Sequence, residues 1–452
     1  MQIKENTLLF LCLPNLGIID NWLPVLWELK KNKEINLVCV FPNPKLVAHL
    51  DFDSVLIKLA NEVFDKFIFQ SNHGEWLITS EISETKKLNN ENKVDSFFQK
   101  KLFLIAKNIP LVRRLIRNTE NYFNNIQRKR RANHLKENVL DWGANKGQVT
   151  GILYDVYTEK KQFSKVLKDY FTDLPKFSMH HGIDIAAEKE LKDTGNSGKT
   201  RNDVTAYIFS ETSRSFYKKR YGLSDDHIKI VGIPRHEPEW LDFIIQKEKE
   251  IHNYSPPKEE YVFLISRPTG GSEVSIERRL KSLQDIKRVV LDQLNKKIIV
   301  KLHPKEQKEG LYEEVFGEEN YRVKWEYSNL HSIVLGDHCL FAIAFTSGVV
   351  IDMIVRDTPS IELLDLKGIP KFDNAEALRD QNGEPVLMYR YFGLAYGASD
   401  YTALKKHTET ILQNRSAALQ VLKKNYSALF PLKKNINMKI AEDIISKLET
   451  EH

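Results

Sequence analysis

TLLFLCLPNLGIIDNWLPVLWELKKNKEINLVCVF, residues 7–41, decides the fold. An apolar run from Thr7 to Leu13 meets a loop with Pro14, Asn15 and Gly17. A helical stretch follows to Lys31, and a second apolar run spans Ile35–Phe41. Strand, loop, helix, strand at this spacing is a βαβ unit on a parallel sheet. Short apolar runs continue the rhythm at Phe67–Phe69, Val149–Tyr154, Lys176–Met179, Ala206–Phe209 and Ile228–Val231. The charged, proline-bearing stretch KEKEIHNYSPPKEE around Glu250–Glu259 marks a boundary. Beyond it the alternation restarts: strand Tyr261–Ser266, helix Val274–Leu294, strand Lys297–Leu302, then strands at Cys339–Ala344 and Ser360–Leu364 with a helix from Gly348 between them. Asn435–Leu448 reads as a final amphipathic helix. The expected architecture is α/β, with two doubly wound Rossmann-like domains facing across a cleft. They cover residues 1–250 and 259–430, with a C-terminal helix in 431–452. A ligand would sit at the carboxyl ends of the strands.

Composition removes other classes. The 452 residues include 42% hydrophobic and 28% charged, the balance of a soluble globular protein. Cys12, Cys39 and Cys339 are too widely spaced for a zinc cluster or a disulfide scaffold. No apolar stretch reaches the ~18–20 residues of a membrane span. Glu5 before the first apolar run, and Pro14 and Gly17 after it, argue against a signal peptide, so a cytoplasmic protein is expected. The net charge of +6 is unevenly placed. Between Lys101 and Lys136 there are ten basic residues and one acid, Glu120, a local +9. Within Pro110–Leu140, at about 100° per residue, Leu111, Leu115, Tyr122, Phe123 and Ile126 share one arc, and Arg113, Arg114, Arg117, Arg128 and Arg131 lie opposite. This insertion, residues 101–140, reads as an amphipathic helix or helical pair whose basic face, 113–131, would meet an anionic membrane surface or an acidic acceptor, making the protein peripheral at the inner membrane face. Nucleic acid is not an expected partner, because no base-reading motif or aromatic interleaving accompanies the charge.

Candidate chemistry lies in loops after strands. SRPTGGSE offers Arg267, Thr269 and Gly270; KLHPKE places His303 at a strand end; FTSGVVID sets Thr346, Ser347 and Gly348 ahead of a helix. Hydroxyls, glycine and the N–H groups of a helix start suit a phosphate, although Thr346 or Ser347 could equally be an N-cap. In the first half, FSMHHGID puts His180, His181 and Gly182 after a strand, and YDVY ends another with Asp155. Either His181 or Asp155 is a candidate general base, with capping as the bland reading of Asp155. KIVGIPRHE carries Arg235 near the domain junction. Asp51-Phe52-Asp53, the only Asp-x-Asp, precedes the helix-like SVLIKLANEVF and reads as a helix start, so no metal site is expected.

The order HHG, then GIPR, HP and TSGVVIDMIVRDTPSIE resembles bacterial surface-polysaccharide transferases of the GT-B fold. The nearest pattern is the CDP-glycerol glycerophosphotransferase (teichoic acid polymerase) group; the His-Pro and Thr-Ser elements also resemble CMP-sugar-using sialic acid and capsule Kdo transferases. The resemblance covers about residues 176–364. It implies an inverting, metal-independent transfer without a cofactor, from a nucleotide-activated donor to a glycan or glycolipid acceptor. His181 would be the base; His303 would contact the donor phosphate or protonate it as it leaves, and Thr346 and Ser347 would hold it at the helix N-terminus; the loop reading adds Arg267, Thr269, Gly270, Gly348 and Glu362 on the donor side. His180, Gly182, Arg235 and Asn15 would line the cleft. His180 stands where the teichoic group usually has an aromatic residue, and Asp155 is the nearest counterpart of the sialyltransferase base, so the base stays open between His181 and Asp155. A glycerol phosphate transferase and a sugar-nucleotide 2-epimerase or hydrolase are the alternatives on the same fold.

Overall fold

The structure is a computed structural model that describes residues 6–13, 16–42, 54–70, 76–82, 149–158, 172–187, 198, 200–252, 257, 259–269, 275–303, 306 and 310–450. Asn15, Gly270, the Asp51–Asp53 triplet and the whole basic segment 101–140 lie outside the described residues.

The strands follow the apolar runs. In the first sheet they are β1 (Asn6–Leu11), β2 (Ile35–Phe41), β3 (Lys66–Gln70), β4 (Trp76–Thr79), β5 (Val149–Tyr154), β6 (Lys176–Met179), β7 (Val204–Ile208) and β8 (Ile228–Ile230). Their order is β4-β3-β2-β1-β5-β6-β7-β8. All neighbours run parallel except the β3–β4 edge pair. Leu8 to Leu11 are all buried, since a central parallel strand is covered on both faces. The second sheet holds β9 (Tyr261–Ile265), β10 (Lys297–Lys301), β11 (Trp325–Tyr327), β12 (Cys339–Ala344), β13 (Ser360–Leu363) and β14 (Tyr396–Ala398). Its order is β11-β10-β9-β12-β13-β14, parallel throughout. The direction of winding reverses between β1 and β5 in one sheet and between β9 and β12 in the other, which leaves a crevice at the carboxyl ends of each pair.

Helix α1 (Gly17–Lys30) buries Ile18, Ile19, Trp22, Leu23, Val25, Leu26 and Leu29, more than one amphipathic stripe. The reason is that it packs against the first sheet and also against α2 (Ser54–Val63) and a C-terminal helix. The long second-domain helix expected over 274–294 begins at Ile276. It is α-helical to Ile286 as α3, then widens into a π-helical segment, Lys287–Gln293. After α4 (Val349–Val355), α5 (Tyr401–Gln413) and α6 (Arg415–Leu429), the terminal helix α7 (Ile436–Thr450) returns to pack on α1. Lys229 and Tyr207 of the first sheet both bond Asp443 of α7. Gly232 shows why this return constrains the chain: its φ is +80°, and a Cβ there would stand 2.5 Å from the Pro431 carbonyl oxygen. One apolar cluster runs through both bodies, from Leu8, Trp22 and Ile183 to Val350, Tyr426 and Ile440.

Candidate active site

β5 and β6 are neighbours, so the residues that follow them meet. Asp155 leaves β5 and enters a 3₁₀ turn, Val156–Thr158. Its Oδ1 accepts the Tyr157 N–H at 2.8 Å, an Asx turn. Its Oδ2 accepts the His181 N–H at 3.0 Å and lies 2.5 Å from His181 Nδ1. One oxygen of Asp155 thus closes the turn and the other holds His181. The carboxylate is wholly buried, while the His181 side chain is 19% exposed. Burial alone would raise the Asp155 pKa, but His180 and His181 outweigh it and hold the group below its ordinary value. An ionised carboxylate only accepts, so His181 Nδ1 must donate, and Nε2 is left as the basic nitrogen.

The loop is held from below. Asn21 of α1, fully buried, donates to the carbonyls of His180 and Gly182 at 2.7 and 3.2 Å. Gly182 N–H reaches His180 Nδ1 at 3.1 Å, and the glycine does not use a left-handed conformation. Burial lowers the His180 pKa, yet Asp155 and Asp184 together leave it raised. Asp155, His180 and His181 are a group among the described residues whose potential metal-ligating atoms lie within 4.8 Å of one another. Two donors about 2.1 Å from a tetrahedral zinc stand about 3.4 Å apart. The 2.5 Å between Asp155 and His181 fits a shared proton better than a shared cation.

Opposite, the second body presents the ends of β9, β12 and β13. Arg267 Nη1 donates to the Thr346 carbonyl at 2.9 Å. Glu362, in β13, is buried; burial pushes its pKa up to about 7, against the pull of Arg390, Thr346 and Arg267. Its Oε1 has no hydrogen-bond partner among the described residues. Ser347 Oγ accepts the Val349 N–H at 3.3 Å, a local turn bond just ahead of α4, whose N-cap is Gly348 with no side-chain cap bond. A Cβ on Gly348 would come within 3.1 Å of Tyr389 Oη and 3.8 Å of Ile183, so the TSG loop and the HHG loop touch across the crevice. His303 follows β10; its N–H donates to Glu306, which also receives the hydroxyl of Ser266. Arg279, buried, donates to Ser266 Oγ at 3.0 Å and to the Arg267 carbonyl, tying the loops of Arg267 and His303 into one network.

Arg235 does not line an open cleft. It is buried between the bodies, and all five of its N–H donors are used: on Asp352 of α4 at 2.8–3.0 Å, and on Asp20 and Asn21 of α1 at 2.8 Å. His236 and His331 complete this cluster through Asp352 and Asp20. Sequence reasoning missed Asp20, Asn21 and Asp352, although each is a polar residue inside an otherwise apolar helical run, GIIDNWL and VVIDMIV. It also missed Tyr157 and Asp184, which lie beside the histidines, and Tyr217 and Arg220, which lie beside those two.

No family model matches the chain, and no curated protein matches it. Solved structures do. A Listeria monocytogenes protein assigned as a UDP-N-acetylglucosamine 2-epimerase aligns with a TM-score of 0.57 at 9% identity, covering 100% of this chain and 98% of that one. Another UDP-N-acetylglucosamine 2-epimerase gives 0.53 at 11%, over 99% and 97%. A variant of the wall teichoic acid polymerase TagF gives 0.53 at 9%, over 99% and 90%. At these identities the likeness concerns the backbone, and with two doubly wound parallel sheets facing across a crevice, the chain has the GT-B fold.

Proposed function

We propose that the protein is an inverting, metal-independent glycosyltransferase of cell-surface polysaccharide assembly. It would move a sugar from a nucleotide-activated donor to a hydroxyl of a glycan or glycolipid acceptor. The observation that carries this reading is the Asp155–His181 pair at the crevice, a partly exposed imidazole oriented by a buried carboxylate. In the proposed step the acceptor hydroxyl attacks the anomeric carbon as its proton passes to His181 Nε2. The bond from that carbon to the phosphate oxygen breaks, and the nucleotide leaves with the electron pair. Asp155 stabilises the resulting imidazolium. Arg267, His303 and Thr346 are the groups proposed to offset the charge of the leaving phosphate. A CMP-linked acidic sugar is the first donor to test, because the His-Pro and Thr-Ser elements resemble enzymes that use such donors.

The second reading is transfer of glycerol phosphate from CDP-glycerol. It is favoured by the His-Gly, Gly-x-Pro-Arg and His-Pro order, and by a fold shared with a TagF variant whose structure was obtained with CDPG at a TM-score of 0.53. A donor screen separates the readings: CMP-sugars, CDP-glycerol and UDP-sugars are each offered with and without a glycan acceptor. Acceptor-dependent nucleotide release is expected. Release only from UDP-N-acetylglucosamine, and without acceptor, would leave an epimerase or hydrolase instead.

A further inference from the structure

Beside the Asp155–His181 pair lies a cluster in which several buried polar atoms have no hydrogen-bond partner among the described residues. The helix Arg214–Tyr221 follows β7 and brings Phe216, Tyr217, Arg220 and Tyr221 to this place. Two of its other cations are paired: Arg214 with Glu211 and Asp225, Lys218 with Asp225. Arg220 is not. Among the described residues its guanidinium meets only aromatic rings, those of Phe216, Tyr157 and Tyr221 at 5.4, 5.7 and 5.9 Å, and its Nε is buried without a hydrogen-bond partner. Tyr221 Oη and Asp184 Oδ2 are likewise buried and without a hydrogen-bond partner among the described residues, the Asp184 carboxyl otherwise interacting with the Tyr217 hydroxyl. Asp184 lies in the field of His180 and Asp155, and Tyr221 in that of Asp155, Asp184 and Arg220, so these groups share one neighbourhood. Native proteins leave few buried polar atoms unpaired, and a local concentration of them asks for a partner from outside.

Tyr157 connects this cluster to the chemistry. It follows Asp155 by two residues, is 45% exposed, and its ring stands 5.6 and 5.7 Å from the rings of His181 and His180. The same ring is the one under Arg220. An exposed aromatic ring with an imidazole and a guanidinium 5.6 and 5.7 Å from its centre matches a pyranose that carries a negative charge.

We propose that this is an acceptor subsite for an anionic sugar. The ring of Tyr157 carries the pyranose, the guanidinium of Arg220 takes its carboxylate or phosphate, and Asp184 takes a hydroxyl. The inference rests on His181 being the base only in calling the bound sugar the acceptor; the binding itself can be read alone. The test is calorimetric titration of the full chain with three probes: the methyl glycoside of N-acetylneuraminic acid, glucose 6-phosphate and methyl glucoside. Both anionic probes, or one of them, should bind at least about tenfold more tightly than the neutral one, the size of a charge-assisted hydrogen bond. The tighter of the two identifies carboxylate or phosphate as the group recognised. Arg220→Gln should abolish the preference and leave methyl glucoside unchanged, and Tyr157→Ala should weaken every probe that the wild type binds. If Arg220→Gln does not fold, Arg220→Lys serves, keeping the charge, losing the forked contact and lowering the preference. Equal binding of all three probes by the wild type, or an undiminished preference in the folded Arg220 variant, overturns the subsite. Full turnover in His181→Ala would remove the base and leave a positive binding result standing. Lost turnover in His181→Ala with no anion preference would remove the subsite alone.

Discussion

Arg235 and Arg220 are both drawn into the protein, and they are held in opposite ways. Arg235 spends every N–H on a carboxylate or amide of the surrounding helices, and joins α1 to α4 across the two bodies. Arg220 makes no hydrogen bond among the described residues and is covered by aromatic rings. A saturated buried charge has nothing left to offer a ligand, so its role is to fix geometry. An unsaturated one beside an exposed aromatic ring and an imidazole keeps its donors for something that arrives. Asn21 connects the two regions, since its carbonyl oxygen accepts from Arg235 and its amide holds the His180–Gly182 loop. The satisfied cluster is therefore the base on which the unsatisfied one is set.

The sharpest test of this contrast is His181→Ala. Turnover measured by nucleotide release should fall roughly 10²–10⁴-fold, the range for a positioned general base, with the urea midpoint little changed. Asp155→Asn should lose a comparable amount, because an amide no longer enforces the Nδ1–H tautomer. A His181→Ala variant that keeps its rate but unfolds early would make the histidine loop structural and break the comparison. Arg235→Ala should do the reverse. It strands Asp352 and Asp20 without their cation, and removing one partner of a buried charge cluster typically costs about 3–5 kcal/mol. Urea unfolding checks this, and loss of rate should follow only as far as the loop held by Asn21 is released.

How much of this was legible in sequence follows from the same distinction. The central strands were, because burial on both faces demands continuous apolar runs; Val149–Tyr154, Lys176–Met179 and Cys339–Ala344 coincide with theirs. Of the edge strands, β11 and β14 were not, lacking an apolar run, while β8, equally short, was, because Ile228–Val231 carries one; sequence reasoning missed β4, although WLIT is mostly apolar. Asp155 and His181 were each legible as polar residues at strand ends. Their pairing was not, since it comes from β5 lying beside β6, an adjacency that short motifs do not encode. Arg235 carried a motif but no hint of its saturation, and Arg220, in RSFYKKRYG, was indistinguishable from the other cations of that run.

Glu362 extends the comparison to the second body, because it too is buried with an unpartnered oxygen. Burial raises its pKa from the usual 4.5 to about 7, so the folded protein binds a proton there that the unfolded chain releases. The stability this gives is fully present below pH 4.5 and is lost as pH rises through about 7. From the size of the shift the loss is on the order of 3 kcal/mol. Glu362→Gln should flatten unfolding free energy across that window and be more stable than wild type at pH 8. An unchanged slope would mean that the carboxyl finds a partner when ionised, and would return Glu362 to the satisfied class.

The smallest effect is the most diagnostic. Arg220→Gln removes ring contacts but breaks no hydrogen bond, so it should shift the unfolding free energy by only about 1 kcal/mol, the scale of a cation–π contact. Set beside Arg235→Ala, the same kind of charge removal then gives two outcomes for one physical reason: in one place acids are stranded, in the other only aromatic faces. A loss for Arg220→Gln as large as that for Arg235→Ala would show that its guanidinium is already committed to the fold, and the distinction between the two arginines would disappear. A small loss leaves the donors of Arg220 available, which is the condition any anion-binding role beside His181 requires.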